Sequence, residues 1–289
     1  MKYPSLINPK VTLSLIQELG YTTKKRFGQN FLIDEHVLSR IISGAAITKE
    51  DTVLEIGPGI GTMTQALSEA AGKVIAVEID TDLIPVLEKT LTGYDNVTVI
   101  NRDILEVDLS TIDGNFDSSD GARYKVVANL PYYITTPIIM KLLESGAPIE
   151  SITVMVQKEV AERMQAAPGG KDYGALSLAV QYYCSAKVIA NVPQNCFIPR
   201  PNVDSAVICL ERYEKPPVEA TDPSYMFTLI RQAFSQRRKT LVNTLKSSPE
   251  LGLSRERIEE ALSAMELPAD IRGERLSLAR FAELSNRLI

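Results

Sequence analysis

The sequence predicts an α/β fold in which a mostly parallel sheet is followed by a small helical domain. Short β-branched runs alternate with helix-length amphipathic segments through the first two thirds of the chain, and the end of the chain is helical in pattern. Three alternating glycines directly after the first sheet strand add a ligand-binding loop at the strand ends. With 289 residues, 45% of them hydrophobic, the chain can build one large domain and a smaller one.

Seven short runs are predicted as strands because they are rich in β-branched and apolar residues. The first five are 52–56, 74–78, 97–100, 124–128 and 152–156. The last two, 186–192 and 203–213, are joined by a segment without room for a helix, so we expect them to pair antiparallel at one sheet edge. The sequence therefore predicts a seven-stranded, mostly parallel sheet with one antiparallel edge strand.

Three segments define the predicted domain organisation. Residues 1–213 are predicted to form the sheet domain, which includes an N-terminal helical segment. The stretch "EKPPVEATD" at 214–222 is polar and Pro-rich, as is typical of a linker. Beyond it apolar residues recur at helical spacing, so residues 223–289 are predicted to be a small all-α domain.

The composition argues against several classes of protein. No apolar run approaches the length of a membrane span, and the N-terminus lacks the apolar core of a secretory signal. Cys184, Cys196 and Cys209 fit neither a metal motif nor a complete set of disulfides, so we expect reduced thiols. His36 is the only histidine and lies in a predicted helix. We therefore expect a cytoplasmic protein that binds neither a metal nor a membrane. We also expect it to work as a monomer.

Two acid-free basic segments stand out in a chain whose formal net charge is −5. A single run of this kind is usually a solvated face, but two in an acidic protein favour a localised anionic ligand. The cations that we assign to RNA binding are Lys24, Lys25 and Arg26 near the start, and Arg237, Arg238 and Lys239 in the helical region.

The glycine loop "EIGPGIG" contains Gly57, Gly59 and Gly61 between a predicted strand and a predicted helix. A dinucleotide fingerprint would require glycine where Thr62 stands, and the lysine of a phosphate-binding loop is absent. Glu55, just before the glycines, would repel a pyrophosphate and would suit a cationic ligand. The loop therefore predicts a ligand with a positive charge and no phosphate.

Two further acids stand at the ends of the next strands. Glu78 ends the second strand and can accept hydrogen bonds from both ribose hydroxyls. Asp103 follows the third strand and can accept one from an adenine amino group. A ribose, an adenine and a cation without phosphate describe S-adenosyl-L-methionine.

The fourth strand ends in "NLPYYITTP", residues 129–137, where an ordinary turn would use other residues. The lone pair of an exocyclic base amine is delocalised into the ring, and acceptors aimed at its N–H groups can localise it. Asn129 offers a side-chain oxygen, and either Leu130 or Pro131 offers a backbone carbonyl. Tyr132 offers a face on which a base can stack. The motif predicts amine methylation and leaves the role of Tyr133 open.

Taken together, these motifs resemble those of the ribosomal RNA adenine N6,N6-dimethyltransferases, most closely the bacterial small-subunit type. The resemblance covers nearly the whole chain. The matching stretches are "KKRFGQNFL", "EIGPGIGTMT", "VEID", "NRDIL", "NLPYYITTPII" and "FIPRPNVDSAVI".

The resemblance implies a Rossmann-like class I methyltransferase fold and further site residues. Cofactor contacts are expected at Gln29, Asn30, Leu32, Ile79 and Ile104, and Asn129 is expected to serve cofactor and substrate alike. An aromatic residue of the last motif, here Phe197, is expected to help clamp the target adenine.

The resemblance also implies a substrate. Family members of this type methylate two adjacent adenines in the 3′-terminal hairpin loop of 16S rRNA, within the immature small ribosomal subunit. A role in ribosome biogenesis follows, and the helical domain is expected to grip RNA.

Three alternatives stay open on the sequence. A resistance-type 23S rRNA adenine methyltransferase would use the same chemistry; "NLPYYITTP" and the C-terminal helical domain favour the small-subunit type. A non-catalytic RNA-binding or transcription factor on the same fold is disfavoured by the intact Asn129–Tyr132 motif and by Glu78. A nicotinamide oxidoreductase is disfavoured by Thr62 and Glu55.

Overall fold

The structure is a computed structural model that describes residues 2–18, 29–119 and 121–289. Within those ranges, no helix is both long enough and apolar enough to cross a membrane. The chain forms two compact units, one from Met1–Ala161 with Ala186–Arg212 and the other from Glu162–Ser185 with Tyr213–Ile289.

Nine strands lie within the described ranges. They are β1 (Phe31–Leu32), β2 (Thr52–Ile56), β3 (Lys73–Glu78), β4 (Val97–Asn101), β5 (Tyr124–Asn129), β6 (Ile149–Gln157), β7 (Cys184–Val192), β8 (Phe197–Ile198) and β9 (Ser205–Arg212).

Eleven α-helices lie in the same ranges. They are α1 (Pro9–Glu18), α2 (Glu35–Gly44), α3 (Thr62–Ala70), α4 (Ile84–Thr90), α5 (Thr135–Glu144), α6 (Lys158–Met164), α7 (Ala175–Tyr183), α8 (Pro223–Ala233), α9 (Leu241–Lys246), α10 (Arg255–Ala264) and α11 (Leu278–Leu288).

Seven strands form one sheet in the order β4-β3-β2-β5-β6-β9-β7. β2, β3, β4, β5 and β6 run parallel, whereas β9 is antiparallel to β6 and lies one place in from the edge strand β7. The fold class predicted from the sequence is confirmed. The segment between β7 and β9 contains a short 3₁₀ turn and the two-residue β8, and no α-helix.

The strands are apolar because both faces of this sheet are covered. Val53 and Leu54 of β2 and Val126 of β5 are completely buried, as parallel sheets flanked by helices require. The chain fills one side of β2 with β3 and β4 and then crosses to the other side with β5. Such a reversal opens a crevice at the carboxyl ends of β2 and β5, where ligands bind in open α/β sheets.

A small two-stranded sheet stands apart from the large one. Phe31 and Leu32 of β1 pair antiparallel with Ile198 and Phe197 of β8. The pairing ties the segment that begins at Gln29 to the segment that precedes β9. It therefore brings an N-terminal motif to the unit that contains the large sheet.

The second unit is built from helices around an aromatic core. Tyr182 and Phe227 meet edge to face at a centroid distance of 5.2 Å, and Tyr183 stacks on Phe227 at 5.6 Å. Tyr173 lies edge to face with Phe234 at 5.9 Å. These contacts include residues of 162–185, which the sequence assigns to the sheet domain.

The predicted linker 214–222 contains no helix or strand, and α8 begins at Pro223 with Asp222 as its N-cap. The division into independent domains at 213 and 223 stays a prediction. All three cysteines are buried, and the described residues contain no disulfide.

Candidate active site

A cleft in the first unit opens at the carboxyl ends of β2, β3 and β5. It encloses about 1100 Å³ of empty space, with the solvent at its mouth included. The predicted site residues that line it are Gln29, Asn30, Leu32, Glu55, Gly57, Gly59, Glu78, Ile79, Asp103, Ile104, Asn129, Leu130, Pro131 and Tyr132. Strand register explains this convergence, because Ile56, Val77 and Ala128 are direct neighbours across the sheet.

The glycine loop lies at the floor of the cleft. All three glycines have left-handed backbone angles, with φ of 70° at Gly57, 62° at Gly59 and 95° at Gly61. A Cβ at Gly57 would meet no atom within 4 Å, so only the missing side chain keeps that space open for a ligand. Gly61 does not line the cleft; it packs against α4, where a Cβ would lie 3.1 Å from Thr90 Oγ1.

Glu78 is held by two backbone donors. Gly59 N–H donates to its Oε2 at 3.1 Å, and Asp80 N–H donates to its Oε1 at 2.8 Å. Burial raises the pKa of Glu78, while these two hydrogen bonds oppose the shift. The carboxylate is therefore fixed in place, and each oxygen keeps a second lone pair for a ligand hydroxyl.

Asp80 links the N-terminal motif to the cleft. Its carboxylate accepts a hydrogen bond from Gln29 Nε2 at 3.0 Å, and only 2% of the residue is exposed. Sequence reasoning missed Asp80, although the second acid of "VEID" is a visible signal at a strand end.

Asp103 follows β4 in a tight turn. Leu105 N–H donates to its Oδ1 at 2.9 Å, which orients the carboxylate. Ile79, the residue after β3, is 47% exposed although it is apolar, and it lines the same cleft with Ile104. An acid between two apolar side chains suits a flat heteroaromatic ring that carries an amino group.

Glu55 lines the cleft at the carboxyl end of β2. The residue is completely buried, and among the described residues neither of its carboxylate oxygens has a hydrogen-bond partner. Burial raises its pKa to about 8; nearby Thr64 lowers it and the charge of Glu78 raises it. The Thr64 hydroxyl is also without a partner, so it does not satisfy the carboxyl. An orphaned acid of this kind fits a cationic ligand group.

Asn129 ends β5 with its amide oriented. Its Nδ2 donates to the backbone carbonyl of Asn30 at 3.0 Å, which leaves Oδ1 as an acceptor that no described residue occupies. The same contact joins the end of β5 to the N-terminal motif. Asn129 can therefore accept from a substrate amine while it holds Asn30.

The backbone of the motif distinguishes Leu130 from Pro131. The Pro131 carbonyl already accepts Ile134 N–H at 3.2 Å and Thr135 Oγ1–H at 3.0 Å. Among the described residues no donor reaches the Leu130 carbonyl. Of the two alternatives that the sequence leaves open, the structure favours Leu130 as the backbone acceptor.

Two tyrosines follow the acceptors. The Tyr132 hydroxyl lies 2.7 Å from Ser205 Oγ, and burial raises the pKa of Tyr132, so the ring is tethered and the phenol stays neutral. Tyr133 is 58% exposed and also lines the cleft. Its side chain therefore lies at the mouth of the cleft and not in the core. Ser205 was missed from the sequence.

Phe197 is not brought to the cleft. It is 2% exposed and packs in a core cluster with Leu32 and Cys196. Its expected role as an adenine clamp stays a prediction.

The two basic segments differ in what the structure shows of them. Lys24, Lys25 and Arg26 lie outside the described residues. Arg237, Arg238 and Lys239 lie in the second unit within a turn at 234–239, which we call the basic turn.

Within the basic turn, Arg237 differs from its neighbours. Its guanidinium donates to the backbone carbonyls of Lys171, at 2.6 Å, and of Tyr173. All three residues are exposed, but the side chains of Arg238 and Lys239 have no hydrogen bond or ion pair among the described residues. The sequence gives no sign of this difference.

The fold and this cleft together define a class I methyltransferase. The glycine loop, Glu78 and Asp103 follow three adjacent parallel strands, and the stretch "NLPYYITTP" follows a fourth. A protein family described as "Ribosomal RNA adenine dimethylase" matches this chain over residues 20–283.

Similar proteins agree with that description. Ribosomal RNA small subunit methyltransferase A of Lachnoclostridium phytofermentans is 58% identical over 96% of this chain and 96% of its own length. A dimethyladenosine transferase from Plasmodium falciparum is 29% identical, with a TM-score of 0.69 over 88% of this chain and 95% of its own. The 23S rRNA methyltransferase ErmE is 26% identical, with a TM-score of 0.63 over 90% and 99%. The chain belongs to the ribosomal RNA adenine dimethylase family, whose members are S-adenosylmethionine-dependent enzymes.

Proposed function

We propose that the chain transfers methyl groups from S-adenosyl-L-methionine to N6 of two adjacent adenines in the 3′-terminal hairpin loop of 16S rRNA. The observation that carries this proposal is the end of β5, where Asn129 Oδ1, the Leu130 carbonyl and the Tyr132 ring lie in one cleft with Glu78 and Asp103. The name of the relative that is 58% identical supports the small-subunit substrate. The working form is a cytoplasmic monomer that acts on the immature small subunit during ribosome biogenesis.

The cleft fits S-adenosyl-L-methionine. Glu78 would accept from the ribose hydroxyls and Asp103 from the adenine amino group, with Ile79 and Ile104 against the adenine faces. The orphaned Glu55 carboxyl would meet the cofactor's ammonium group. When bound, the cofactor supplies an electrophilic methyl group on a positively charged sulfur.

Residues 129–132, which we call the acceptor motif, prepare the amine of the target adenine. Asn129 Oδ1 and the Leu130 carbonyl accept its two N–H groups, which draws the nitrogen lone pair out of the ring. The Tyr132 face holds the base by stacking. With the cofactor bound, these acceptors would hold the amine nitrogen in line with the methyl group, and the proton that the nitrogen loses on methylation would pass to water. Alignment of the two reacting groups supplies much of the rate, and no side chain has to act as a strong base.

The test is the transfer in vitro of labelled methyl groups to immature small subunits from cells that lack this protein. Primer extension should then stop at two adjacent adenines near the 3′ end, because N6,N6-dimethyladenine cannot pair. The Asn129→Ala variant is the control for background activity. Absence of label from the small-subunit RNA under these conditions would refute the proposal.

Methylation of 23S rRNA is a second candidate, which the fold similarity to ErmE supports. Large-subunit RNA offered in the same assay distinguishes the two candidates. Label that appears only in 23S rRNA would replace the first proposal with the second. A protein that binds small subunits without transferring methyl groups would be a non-catalytic factor.

A further inference from the structure

Lys141 lies on α5, the helix that begins just after the acceptor motif. Its ammonium group donates to two backbone carbonyls of the segment that follows β4, to Leu105 at 2.7 Å and to Val107 at 2.8 Å. The side chain is half-buried, and burial lowers its pKa while the charge of Asp103 opposes that shift. A lysine usually keeps its ammonium in water, so two hydrogen bonds from Lys141 to backbone carbonyls indicate a specific structural contact.

The segment that Lys141 grips is the one that presents Asp103. Leu105 is bonded on both sides, since its N–H donates to Asp103 Oδ1 at 2.9 Å and its carbonyl accepts from Lys141. The backbone carbonyl of Asp103 also accepts Glu106 N–H at 2.9 Å. The direction of the Asp103 carboxylate is therefore set by a turn whose far side is anchored on α5.

The other end of α5 touches the acceptor motif. Thr135, the first residue of the helix, donates its hydroxyl proton to the Pro131 carbonyl at 3.0 Å. One helix thus holds the turn of Asp103 at Lys141 and the turn of the acceptor motif at Thr135.

We propose that Lys141 is a positioning residue for recognition of the cofactor's purine ring, through the turn that aims Asp103 at an exocyclic amino group. The inference rests on the proposed function, because it takes Asp103 as the acid that reads adenine. The ligand class that it selects is a 6-aminopurine nucleoside, in preference to a 6-oxopurine nucleoside whose oxygen the carboxylate would repel.

Calorimetry with S-adenosylhomocysteine and S-inosylhomocysteine tests the proposal without catalysis. The intact protein should prefer the adenosyl ligand. Lys141→Met should raise the Kd of S-adenosylhomocysteine about tenfold and leave that of S-inosylhomocysteine nearly unchanged. The preference of the protein for the adenosyl ligand over the inosyl ligand therefore becomes smaller. Lys141→Arg keeps a cationic donor and should restore most of the preference.

Lys73 provides a matched control, because its ammonium donates to the backbone carbonyl of Asn115 at 2.6 Å. Like Lys141, it does not line the cleft. Lys73→Met should leave the preference intact. If Lys141→Met does not fold, Lys141→Gln, which keeps one donor, gives the same comparison. Equal weakening of both ligands, or a fall in Tm with an unchanged preference, would overturn the inference. Failure of the intact protein to bind either ligand would instead refute the proposed function.

Discussion

The cleft of the first unit and the basic turn of the second unit use their polar side chains in opposite ways. In the cleft, Glu55 and Asn129 have side-chain oxygens that accept no hydrogen bond from any described residue. In the basic turn, the guanidinium of Arg237 is already bonded to two backbone carbonyls, whereas the side chain of Arg238 has no hydrogen bond to any described residue. The contrast teaches that a group kept unsatisfied beside a cleft indicates a ligand, while a charged group in a basic run can have its hydrogen bonds made within the protein.

The largest expected effect is that of Asn129→Ala. The substitution removes the side-chain acceptor for the substrate amine, and we expect kcat to fall by roughly 10²–10³-fold. Affinity for S-adenosylhomocysteine should change much less, although Asn30 loses its hydrogen bond from Nδ2. Single-turnover methyl transfer and calorimetry measure the two quantities separately.

Asn129→Asp is the informative companion variant, because it keeps an acceptor oxygen and removes the donor to Asn30. If both variants lost cofactor affinity and turnover equally, Asn129 would act only by holding Asn30.

Glu78→Ala should have the opposite profile. It removes the predicted ribose acceptor and releases Gly59 N–H, so we expect the Kd for S-adenosylhomocysteine to rise roughly 10–100-fold. The kcat at saturating cofactor should stay within about threefold, since Glu78 does not contact the reacting groups. A large loss of kcat with an unchanged Kd would show that the ribose assignment is wrong. Glu78→Gln keeps one acceptor oxygen, so its Kd should lie between those of the wild type and of Glu78→Ala.

The cleft could be predicted from sequence because strand register forces it together. Once β2, β3 and β4 are recognised as parallel neighbours, Gly57, Glu78 and Asp103 must follow their carboxyl ends at one edge. No long-range packing has to be known for that step.

Other parts of the site could not be predicted, because they depend on contacts between segments far apart in sequence. Ser205 meets Tyr132 only through the antiparallel placement of β9 beside β6. Lys141 reaches Leu105 across a separation of 36 residues. Arg237 is bonded to backbone carbonyls because residues 166–174 form a loop that places the carbonyls of Lys171 and Tyr173 next to it. The sequence does not show where that loop lies.

Glu55 should make cofactor binding and stability depend on pH in opposite directions. Its pKa of about 8 lies above the ordinary value of 4.5, so the folded protein holds a proton that the unfolded chain has released. Its contribution to stability is complete below pH 4.5 and is lost as pH rises to about 8, by at most about 1.4 kcal/mol per pH unit. Cofactor affinity should rise over the same range as the carboxylate forms.

Glu55→Gln isolates this group. The difference in unfolding free energy between the wild type and the variant should slope downward from pH 5 to pH 8 and then level, as urea titrations at each pH would show. A flat difference would mean that Glu55 is ionised in the folded protein at neutral pH. The variant should also remove most of the pH dependence of S-adenosylhomocysteine affinity.

The basic turn allows a direct test of the comparison. Arg237→Ala breaks two hydrogen bonds to loop 166–174 and should destabilise the second unit by about 1–3 kcal/mol, measured by thermal unfolding. The double variant Arg238→Ala, Lys239→Ala should leave Tm unchanged. It should weaken small-subunit binding and reduce the salt dependence by a slope of up to about one per lost phosphate contact. If Arg237→Ala reduced that slope with Tm unchanged, Arg237 would be a phosphate contact like its neighbours.

The smallest expected effect is that of Tyr132→Phe. The stacking face is retained, and only the hydrogen bond between the phenol and Ser205 is lost, so kcat/KM for RNA should fall about two- to fivefold. Ser205→Ala should have the same effect, and the double variant should be no worse than either single one, since both remove one interaction. Tyr132→Ala removes the ring as well and should lose roughly 1–3 kcal/mol of base stacking. A Tyr132→Phe variant as defective as Tyr132→Ala would mean that the hydroxyl, and not the face of the ring, is what the acceptor motif contributes at this position.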